Sequence, residues 1–429
     1  MNHINKEILS LSLPAIVTNI TTPLLSLVDL AIVGHMGAAS YIGAIAIGGS
    51  MFNMLYWLFG FLRMGSSGMT AQAYGANDSL SQSRVLRQAL LVATIAGITM
   101  IMLQKPICDL TLRFMEADST TGFYASTYFF ILIWGAPAVL ANYAVCGWLL
   151  GMQNSRATMW ISLLINISNI ALSCTLVYIF NLGIIGVAVG TLVAQWLGLI
   201  YGIIIIAKNY NLVSCPIKLL LDGQKLKHFF SINADIFLRT LCIVTITMWF
   251  TRTGASQGAE MLAVNALLMQ FFTLFSFFMD GFGFAGEAMA GKYIGAKDYC
   301  NLRKSVNWLC IWGGAIALLF TLIYAFGGTL ILQLLSNDTN VTVTAKEYLA
   351  WVISVPAIGF LAFTWDGIFI GATATRAMLL SILLASIAFF TVYFSTYHIL
   401  QNHGLWLAFV CYLFTRAAVL TLIGRRYRK

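Results

Sequence analysis

Long apolar runs are the feature of this sequence that most restricts its fold. Twelve runs of about 20 residues occur along the 429 residues, and a helix of that length crosses the ~30 Å hydrocarbon core of a membrane. Charged residues make up only 9% of the chain, against about 25% in soluble proteins. We therefore predict an all-α integral membrane protein with twelve transmembrane helices. The predicted spans are approximately 8–33, 44–72, 86–104, 122–146, 157–180, 184–207, 228–251, 259–290, 305–326, 342–370, 376–398 and 404–424.

The lysines and arginines are distributed unevenly over the segments between these spans. If the amino terminus lies in the cytoplasm, the cytoplasmic segments hold seventeen of the 24 basic residues and the outer segments hold four. The positive-inside rule then predicts a multi-pass protein of the bacterial cell membrane with both termini in the cytoplasm. The net charge of +9 acts as an orientation signal and a contact with anionic lipids at the cytoplasmic face, so no nucleic acid partner is needed.

An internal repeat divides the chain near its middle. One constant shift aligns 75–78 with 295–298, and the same shift places Gly147 and Gly151 on Gly367 and Gly371. Six spans separate equivalent points, so both halves cross the membrane in the same orientation. We predict two pseudo-symmetric six-helix bundles around a central cleft that receives substrate. The predicted lobes are 1–207 and 228–429, joined by a cytoplasmic linker, 208–227.

One acidic residue, Asp29, lies in the first span, roughly 12 Å past its middle and still within the hydrocarbon layer. Thr18, Thr22 and Ser26 precede it on the same helical face. An ionised carboxylate in lipid is costly and would take up a proton, which predicts a proton or Na⁺ site. The alternative is a carboxylate held by a neighbouring donor for packing alone.

Polar residues recur on one face of the fifth span, at Asn166, Asn169 and Ser173, and the sixth span contains Thr191. Such residues often only join helices, at about 0.6 kcal/mol per hydrogen bond, and the residues alone favour that interpretation. Together with Asp29, they could instead form an oxygen-rich site for a small cation.

We assign four acidic residues of the second half to the interior of its bundle. Asp235 and Arg239 are four residues apart with the acid first, the order that favours an intrahelical ion pair, so a structural pair and a functional one both remain open. Asp280 and Glu287 share a face of the eighth span, and Asp366 lies in the tenth. Four acids against one or two bases predict a net acidic interior that would favour cationic organic molecules.

No enzyme motif occurs in the sequence. The five histidines lie at the ends of spans, and there is no HExxH, GxSxG or Walker-type pattern. We therefore predict neither an enzyme nor a cofactor or metal centre. Without an ATP site, any pumping must be driven by an ion gradient or not driven at all.

Several short motifs together resemble the multidrug and toxic compound extrusion (MATE) transporters of the DinF branch, over essentially the full length of the chain. The resemblance implies a cation-coupled antiporter that exports amphipathic, often cationic compounds by alternating access of two six-helix lobes. The motifs that carry it are Val-Asp at 28–29, Val-Gly-His at 33–35, Asn-Ala-Asp-Ile-Phe-Leu-Arg-Thr at 233–240, Ala-Val-Asn-Ala at 263–266, Asp-Gly-Phe at 280–282 and Glu-Ala at 287–288.

The resemblance also implies roles for particular residues. Asp29 matches the coupling carboxylate, and Pro14 matches a proline at which the first helix is proposed to bend. Asn169 and Thr191 match the family's cation site, but Ser173 stands where related proteins have an aspartate. One carboxylate suffices for a proton, whereas a dehydrated Na⁺ prefers more oxygen ligands and more negative charge. The departure therefore favours proton coupling, with Na⁺ coupling as the alternative.

From the sequence we predict a proton-coupled efflux antiporter that works as a monomer on small amphipathic molecules. An uncoupled or lipid-linked flippase is the second hypothesis. A non-transporting membrane receptor or assembly protein is the third, and the lack of a sizeable soluble domain argues against it. The candidate residues of the substrate cleft are Asn166, Asp235, Arg239, Asp280, Glu287 and Asp366.

Overall fold

The computed structural model describes residues 3–34, 39–115, 119–214, 216, 222–336 and 338–427. These residues are almost entirely helical, without a strand in the described ranges, so the predicted all-α class is confirmed. Short 3₁₀ or π turns occur at Ile133–Gly135, Thr175–Ile179 and Arg425–Tyr427. The α-helices are α1 (His3–Gly34), α2 (Ala39–Leu58), α3 (Phe61–Gly75), α4 (Ser79–Met102), α5 (Gln104–Phe114), α6 (Ser119–Leu132), α7 (Ala136–Gly151), α8 (Ser155–Cys174), α9 (Gly183–Asn209), α10 (Gly223–Ser256), α11 (Ala259–Gly295), α12 (Tyr299–Leu335), α13 (Thr339–Gly371), α14 (Thr375–Leu400) and α15 (Asn402–Gly424).

The helices agree with the predicted spans in number and order. Eleven helical stretches in the described part of the chain are long and apolar enough to cross a membrane, and they coincide with the second to twelfth predicted spans. Helix α1, with 32 residues, covers the first. Part of the predicted linker 208–227 lies outside the described residues, as do the side chains of Thr22 and Ser26.

Two spans that the sequence suggests are continuous are interrupted. The second is broken between α2 and α3 at Gly60. The fourth contains a 3₁₀ turn before α7, whose second residue, Pro137, has no N–H to continue the helical bonding. Helix α5 occupies a predicted loop. Its 11 residues mix polar and apolar side chains, so it produces no long apolar run.

The internal repeat is visible in the backbone. Three pairs of non-glycine residues have the left-handed φ, and the two members of each pair are equivalent under the shift that places position 75 on position 295. They are Asn77 and Lys297 (φ 54° and 57°), Gln153 and Thr373 (64° and 51°), and Asn181 and Gln401 (54° and 47°). Left-handed φ is uncommon outside glycine, so equal turns at equivalent positions indicate that the two halves have the same connections.

The helix starts after two of these turns are also equivalent. Asp78 accepts a hydrogen bond from the Ser81 N–H at 2.9 Å, and Asp298 accepts one from the Asn301 N–H at 3.1 Å. Both carboxylates therefore cap the first turn of a helix, α4 in one half and α12 in the other. Hydrogen bonds from Ser81 hold the pKa of Asp78 below its usual range, and those from Asn301 do the same for the pKa of Asp298.

Glycines bring one pair of helices into close contact in each half. A Cβ at Gly147 of α7 would lie 2.3 Å from the carbonyl oxygen of Arg63 in α3. A Cβ at Gly367 of α13 would lie 2.0 Å from the carbonyl oxygen of Gly283 in α11. Both residues of the second contact are the repeat equivalents of those of the first, so the repeat extends to helix packing.

The described chain forms two compact units, Val17–Phe229 and a second that combines Met1–Ile16 with Phe230–Lys429. The predicted lobe limits, 1–207 and 228–429, stay a prediction. The boundary between the two compact units lies in mid-chain, next to the end of the predicted linker, but the start of α1 belongs to the second unit. Trp148 and Phe129 are buried in the core of the first unit, and Trp406 and Phe389 in that of the second.

The start of α1 is held in the second unit by two kinds of contact. A Cβ at Gly281 of α11 would lie 2.3 Å from Cγ1 of Ile16, so the absence of a side chain there lets α1 approach. At the end of α11, Lys292 and the hydroxyl of Tyr293 both donate to the carboxylate of Glu7, the latter at 2.9 Å. An ion pair and a glycine contact therefore fix the first four turns of α1.

Candidate functional site

Asp29 lies in the part of α1 that belongs to the Val17–Phe229 unit, and its side chain is buried. Only 7% of the residue is exposed, and its Oδ1 has no hydrogen-bond partner among the described residues. No basic side chain pairs with it in that part of the chain. The sequence left open that Asp29 is held by a neighbouring donor for packing alone. Its Oδ1 accepts from no such donor in the described part of the chain. A buried acid in this setting must be neutralised by a proton or a cation, because an uncompensated charge costs several kcal/mol.

Tyr128 of α6 is the residue that links Asp29 to the other polar side chains. It interacts electrostatically with Asp29, and its hydroxyl is hydrogen-bonded to Thr191 of α9. Its ring packs on Gly48 of α2, where a Cβ would lie 2.6 Å from the ring atom Cδ1. The sequence suggests Tyr128 only as a match to Tyr348 in the repeat. The signal for a functional role is weak, because a tyrosine in an apolar span is common.

Three of the predicted cation-site residues lie together on α8 and α9. The Asn169 amide nitrogen donates to the Thr191 hydroxyl at 2.7 Å, and that hydroxyl donates to the Val187 carbonyl at 3.0 Å. Ser173 packs on Gly190, where a Cβ would lie 2.5 Å from the serine hydroxyl. Asn169 Oδ1 and the Ser173 hydroxyl are fully buried and have no partner among the described residues.

We call Asp29, Tyr128, Thr191, Asn169 and Ser173 the first polar cluster. It contains one carboxylate, one amide oxygen and three hydroxyls, supplied by α1, α6, α8 and α9. Such a set can bind a proton at the carboxylate or offer several neutral oxygens to a small cation.

Two other candidates lie near this cluster in sequence. Asn166 lies one turn before Asn169 on α8, half-buried, with an amide nitrogen that has no partner in the described part of the structure. Pro14 lies within α1, which remains α-helical from His3 to Gly34, two residues before the chain passes from one compact unit to the other. A bend at Pro14 stays a prediction.

In the second unit, Asp366 of α13 lies between two arginines. Its Oδ2 accepts from Arg239 of α10 at 2.5 Å and also from Arg416 of α15. All three residues are at most 7% exposed. We call them, with the neighbouring Asp280, the second charged cluster.

The intrahelical pair of Asp235 and Arg239 is not formed. Arg239 points to Asp366, while Asp235 lies one turn earlier and accepts a hydrogen bond from the Thr375 hydroxyl at 2.7 Å. The spacing of four residues allows the pair, but a buried guanidinium gains more from a carboxylate that is itself buried.

The predicted net acidic interior of the second unit stays a prediction, but the charges around Asp366 are paired. Asp280 interacts electrostatically with both Arg239 and Arg416, so the second charged cluster contains two acids and two bases. Arg416 additionally lies 5.9 Å from the centre of the Phe363 ring. Glu287 is fully buried elsewhere on α11, at the contact with Gly371. Around Asp366 the charges balance.

The residues of the two clusters are not conserved between the two halves of the internal repeat. The equivalents of Asp29 and Asn169 in the second half are Trp249 and Phe389, and those of Asp366 and Arg416 in the first half are Cys146 and Trp196. The halves therefore share connections and packing but not their charged or amide groups. Each cluster belongs to one half only, as expected for sites with different tasks.

Comparisons with known proteins agree with this architecture. The MatE family model matches the chain twice, over residues 14–175 and 236–395, once in each half. The chain is 36% identical over 425 residues to DNA damage-inducible protein F of Escherichia coli (strain K12), covering 99% of this chain and 92% of that protein. It is 24% identical over 352 residues to a probable multidrug resistance protein NorM of Photorhabdus laumondii, covering 79% and 76% of the two chains. A crystal structure of a MATE protein in a bent conformation has a TM-score of 0.90 at 19% identity, covering 99% of this chain and 95% of that one.

Proposed function

This chain belongs to the MATE family of multidrug efflux transporters, and we propose that it is an antiporter that exchanges amphipathic, cationic compounds for protons by alternating access. The resemblance found in the sequence, to the DinF branch, is confirmed. Members of the family are transporters and not enzymes.

The unpartnered carboxylate oxygen of Asp29 is the observation that supports proton coupling. Asp29 is buried without a basic neighbour among the described residues, so its charge depends on what binds to it. A proton neutralises the group alone. A Na⁺ ion would need Asn169, Ser173 and further oxygens, with only one formal negative charge in the cluster. Na⁺ coupling is therefore the alternative to test.

The same observation supports a cationic substrate. A cation that approaches Asp29 competes with the proton for one carboxylate, which is the simplest way to make binding of the two mutually exclusive. Asp366 cannot serve in this way without losing two arginine partners. We propose that the pairing of Asp366 with Arg239 and Arg416 maintains the fold of its unit, whereas Asn166, Asp235, Asp280 and Glu287 stay candidates for substrate contact.

Purified protein in liposomes with a pH-sensitive dye inside tests the coupling. A gradient of a cationic dye substrate is imposed in Na⁺-free buffer, and proton movement is compared between the wild type and Asp29→Asn. We expect proton movement that requires substrate in the wild type and none in Asp29→Asn. The control is Asp109→Asn, which also removes an acid but lies exposed on α5, outside the predicted spans.

The other hypotheses give different results in this assay. Proton movement by Asp29→Asn at the wild-type rate would refute the role of Asp29. Substrate flux only in the presence of Na⁺ would support Na⁺ coupling. Flux without any ion dependence, unaffected by ionophores, would support the uncoupled or lipid-linked flippase.

We also propose that the protein is a monomer with both termini in the cytoplasm. Cys300, at the start of α12, is exposed, and it lies in a segment that the charge distribution places inside. A membrane-impermeant thiol reagent should label Cys300 in inverted membrane vesicles and not in intact cells. Labelling in intact cells would reverse the proposed orientation.

A further inference from the structure

Two buried asparagines of the Val17–Phe229 unit use their amide nitrogens to join neighbouring helices. Asn169 of α8 donates to the Thr191 hydroxyl of α9 at 2.7 Å. Asn142 of α7 donates at 3.0 Å to the carbonyl oxygen of Gln195, which lies one turn after Thr191 on α9. Asn142 is 5% exposed and Asn169 is fully buried. In each side chain the amide oxygen remains for another partner.

The hydrogen-bond partners fix which end of each amide is the oxygen. The Gln195 carbonyl can only accept, so the atom of Asn142 that faces it must be the nitrogen. The Thr191 hydroxyl donates its one proton to the Val187 carbonyl at 3.0 Å, so it can only accept from Asn169. The free ends of both amides are therefore hydrogen-bond acceptors.

The first polar cluster and Asn142 together present buried oxygen atoms to a ligand. Oδ1 of Asp29, of Asn169 and of Asn142 accepts from no residue that the structure describes. The Ser173 hydroxyl, also buried and unpartnered among those residues, can accept or donate. Asn166 has an unpartnered amide nitrogen, but no described neighbour fixes which end of that amide is the nitrogen. The set therefore offers mainly acceptors.

Organic cations differ in whether they can satisfy such acceptors. A primary ammonium group carries three N–H donors, whereas a quaternary ammonium group has the same charge and no N–H. A buried acceptor that stays unpaired in the complex weakens binding, because its desolvation is not compensated. Sites built to hydrogen-bond a substrate group therefore discriminate strongly against analogues that lack it. Charge alone would not distinguish the two cations.

We propose that the first polar cluster, extended by Asn142, selects substrates whose charge is a protonated amine over permanently charged quaternary cations. The inference rests on the proposed function, in which a cationic substrate competes with the proton for Asp29. In the complex, the N–H groups of the amine donate to Asp29 and to the free amide oxygens of Asn169 and Asn142. Asp29 supplies the charge, and the amide oxygens supply the selectivity. Asn142, which the sequence did not indicate, is thus a specificity-determining residue.

The test is the binding of two fluorescent probes to the purified full-length protein in detergent. Dansylcadaverine ends in a primary amine, and its trimethylammonium derivative has the same charge without N–H groups. At about pH 8 both are cations, since an alkylamine such as the lysine side chain has a pKa near 10.4. We expect the wild type to bind the amine at least tenfold more tightly, the effect of one hydrogen bond to a charged group. Equal affinity, or tighter binding of the trimethylammonium probe, would overturn the proposal.

Variants separate the charge from the hydrogen bonds. Asn142→Leu replaces the amide by an apolar group with the same branching, and it should weaken binding of the amine about fivefold while leaving the affinity for the trimethylammonium probe unchanged. Asp29→Asn removes the charge and should weaken binding of both probes. Asn307→Leu is the matched control, because Asn307 is exposed on α12 in the other unit, and it should change neither affinity.

The outcomes distinguish this inference from the proposed function. Equal binding of the two probes by the wild type refutes the selectivity and leaves a cationic substrate standing. Binding of neither probe refutes the proposed cationic substrate and this inference with it. Equal weakening of both probes by Asn142→Leu would overturn the role of Asn142 in selectivity. The wild-type comparison needs no variant, so it decides the selectivity even where Asn142→Leu does not fold.

Discussion

Asp29 and Asp366 are both buried acids in the membrane, and their replacement should have opposite effects on stability. Asp366→Asn removes the charge that two buried arginines share. Breaking a buried ion pair by removing one partner costs about 3–5 kcal/mol. Because Asp280 still interacts with both arginines, we expect the lower end of that range.

Asp29→Asn should add up to about 1 kcal/mol, since a carboxylate oxygen without a partner in the described structure is replaced by an uncharged amide. The assay is thermal unfolding of the two purified variants in the same detergent, followed by size-exclusion chromatography of heated samples. A loss of about 3 kcal/mol corresponds to a fall in Tm of roughly 6–12 °C for a unit of about 200 residues.

A double variant separates the effect of the uncompensated charge on stability from the effect of packing. Adding Arg416→Met to Asp366→Asn leaves Arg239 with Asp280, so at least half of the lost stability should return. Equal destabilisation by Asp29→Asn and Asp366→Asn would refute the distinction between a neutralised and an uncompensated acid. Failure of Arg416→Met to restore stability would show that the loss comes from packing rather than from charge.

Other expected outcomes concern packing, coupling and helix capping. Gly367→Ala should lower Tm strongly, because the new Cβ would lie 2.0 Å from a backbone oxygen. Gly49→Ala is the control and should leave Tm unchanged, because no atom lies within 4 Å of its new Cβ. The same unfolding assay measures both variants. Tyr128→Phe should slow substrate-driven proton movement in liposomes about fivefold, the effect of a lost hydrogen bond of ~1 kcal/mol, and an unchanged rate would remove Tyr128 from the coupling path. Asp78→Ala should speed hydrogen exchange in the first turn of α4 at pH 7. Because the pKa of Asp78 is lowered in the folded protein, the wild-type cap should be complete above the usual carboxyl pKa of about 3.9 and lost as pH falls through the lower pKa of the folded state.

The spans and the repeat could be predicted because their signals are local or periodic. An apolar run of about 20 residues identifies a spanning helix without knowledge of its neighbours. Matching glycines at one constant offset identify the repeat. The breaks before Pro137 and at Gly60 were not predicted, because a short turn within an apolar span leaves the hydropathy unchanged.

The site could be predicted only in part, because a sequence pattern identifies residues that are close along one helix but not residues that meet between helices. Asn169 and Ser173 share a helical face, so their proximity follows from periodicity. The contact of Asp366 with Arg239 joins residues 127 positions apart, and no local pattern indicates it. The local rule for residues four apart favoured Asp235 as the partner of Arg239, and burial of Arg239 against α13 overrode that rule.

The division of α1 between two compact units has a consequence for biosynthesis. Its first turns are completed early, but Ile16 makes its contact with Gly281, which is synthesised only after more than half of the chain. At a synthesis rate of about 5–20 residues per second, the start of α1 waits roughly 10–50 s for that partner. During this interval the carboxylate of Glu7 lacks Lys292 and Tyr293, so the start of α1 has neither its ion pair nor its glycine contact. The start of α1 therefore acquires its full set of contacts only after α11 has been made.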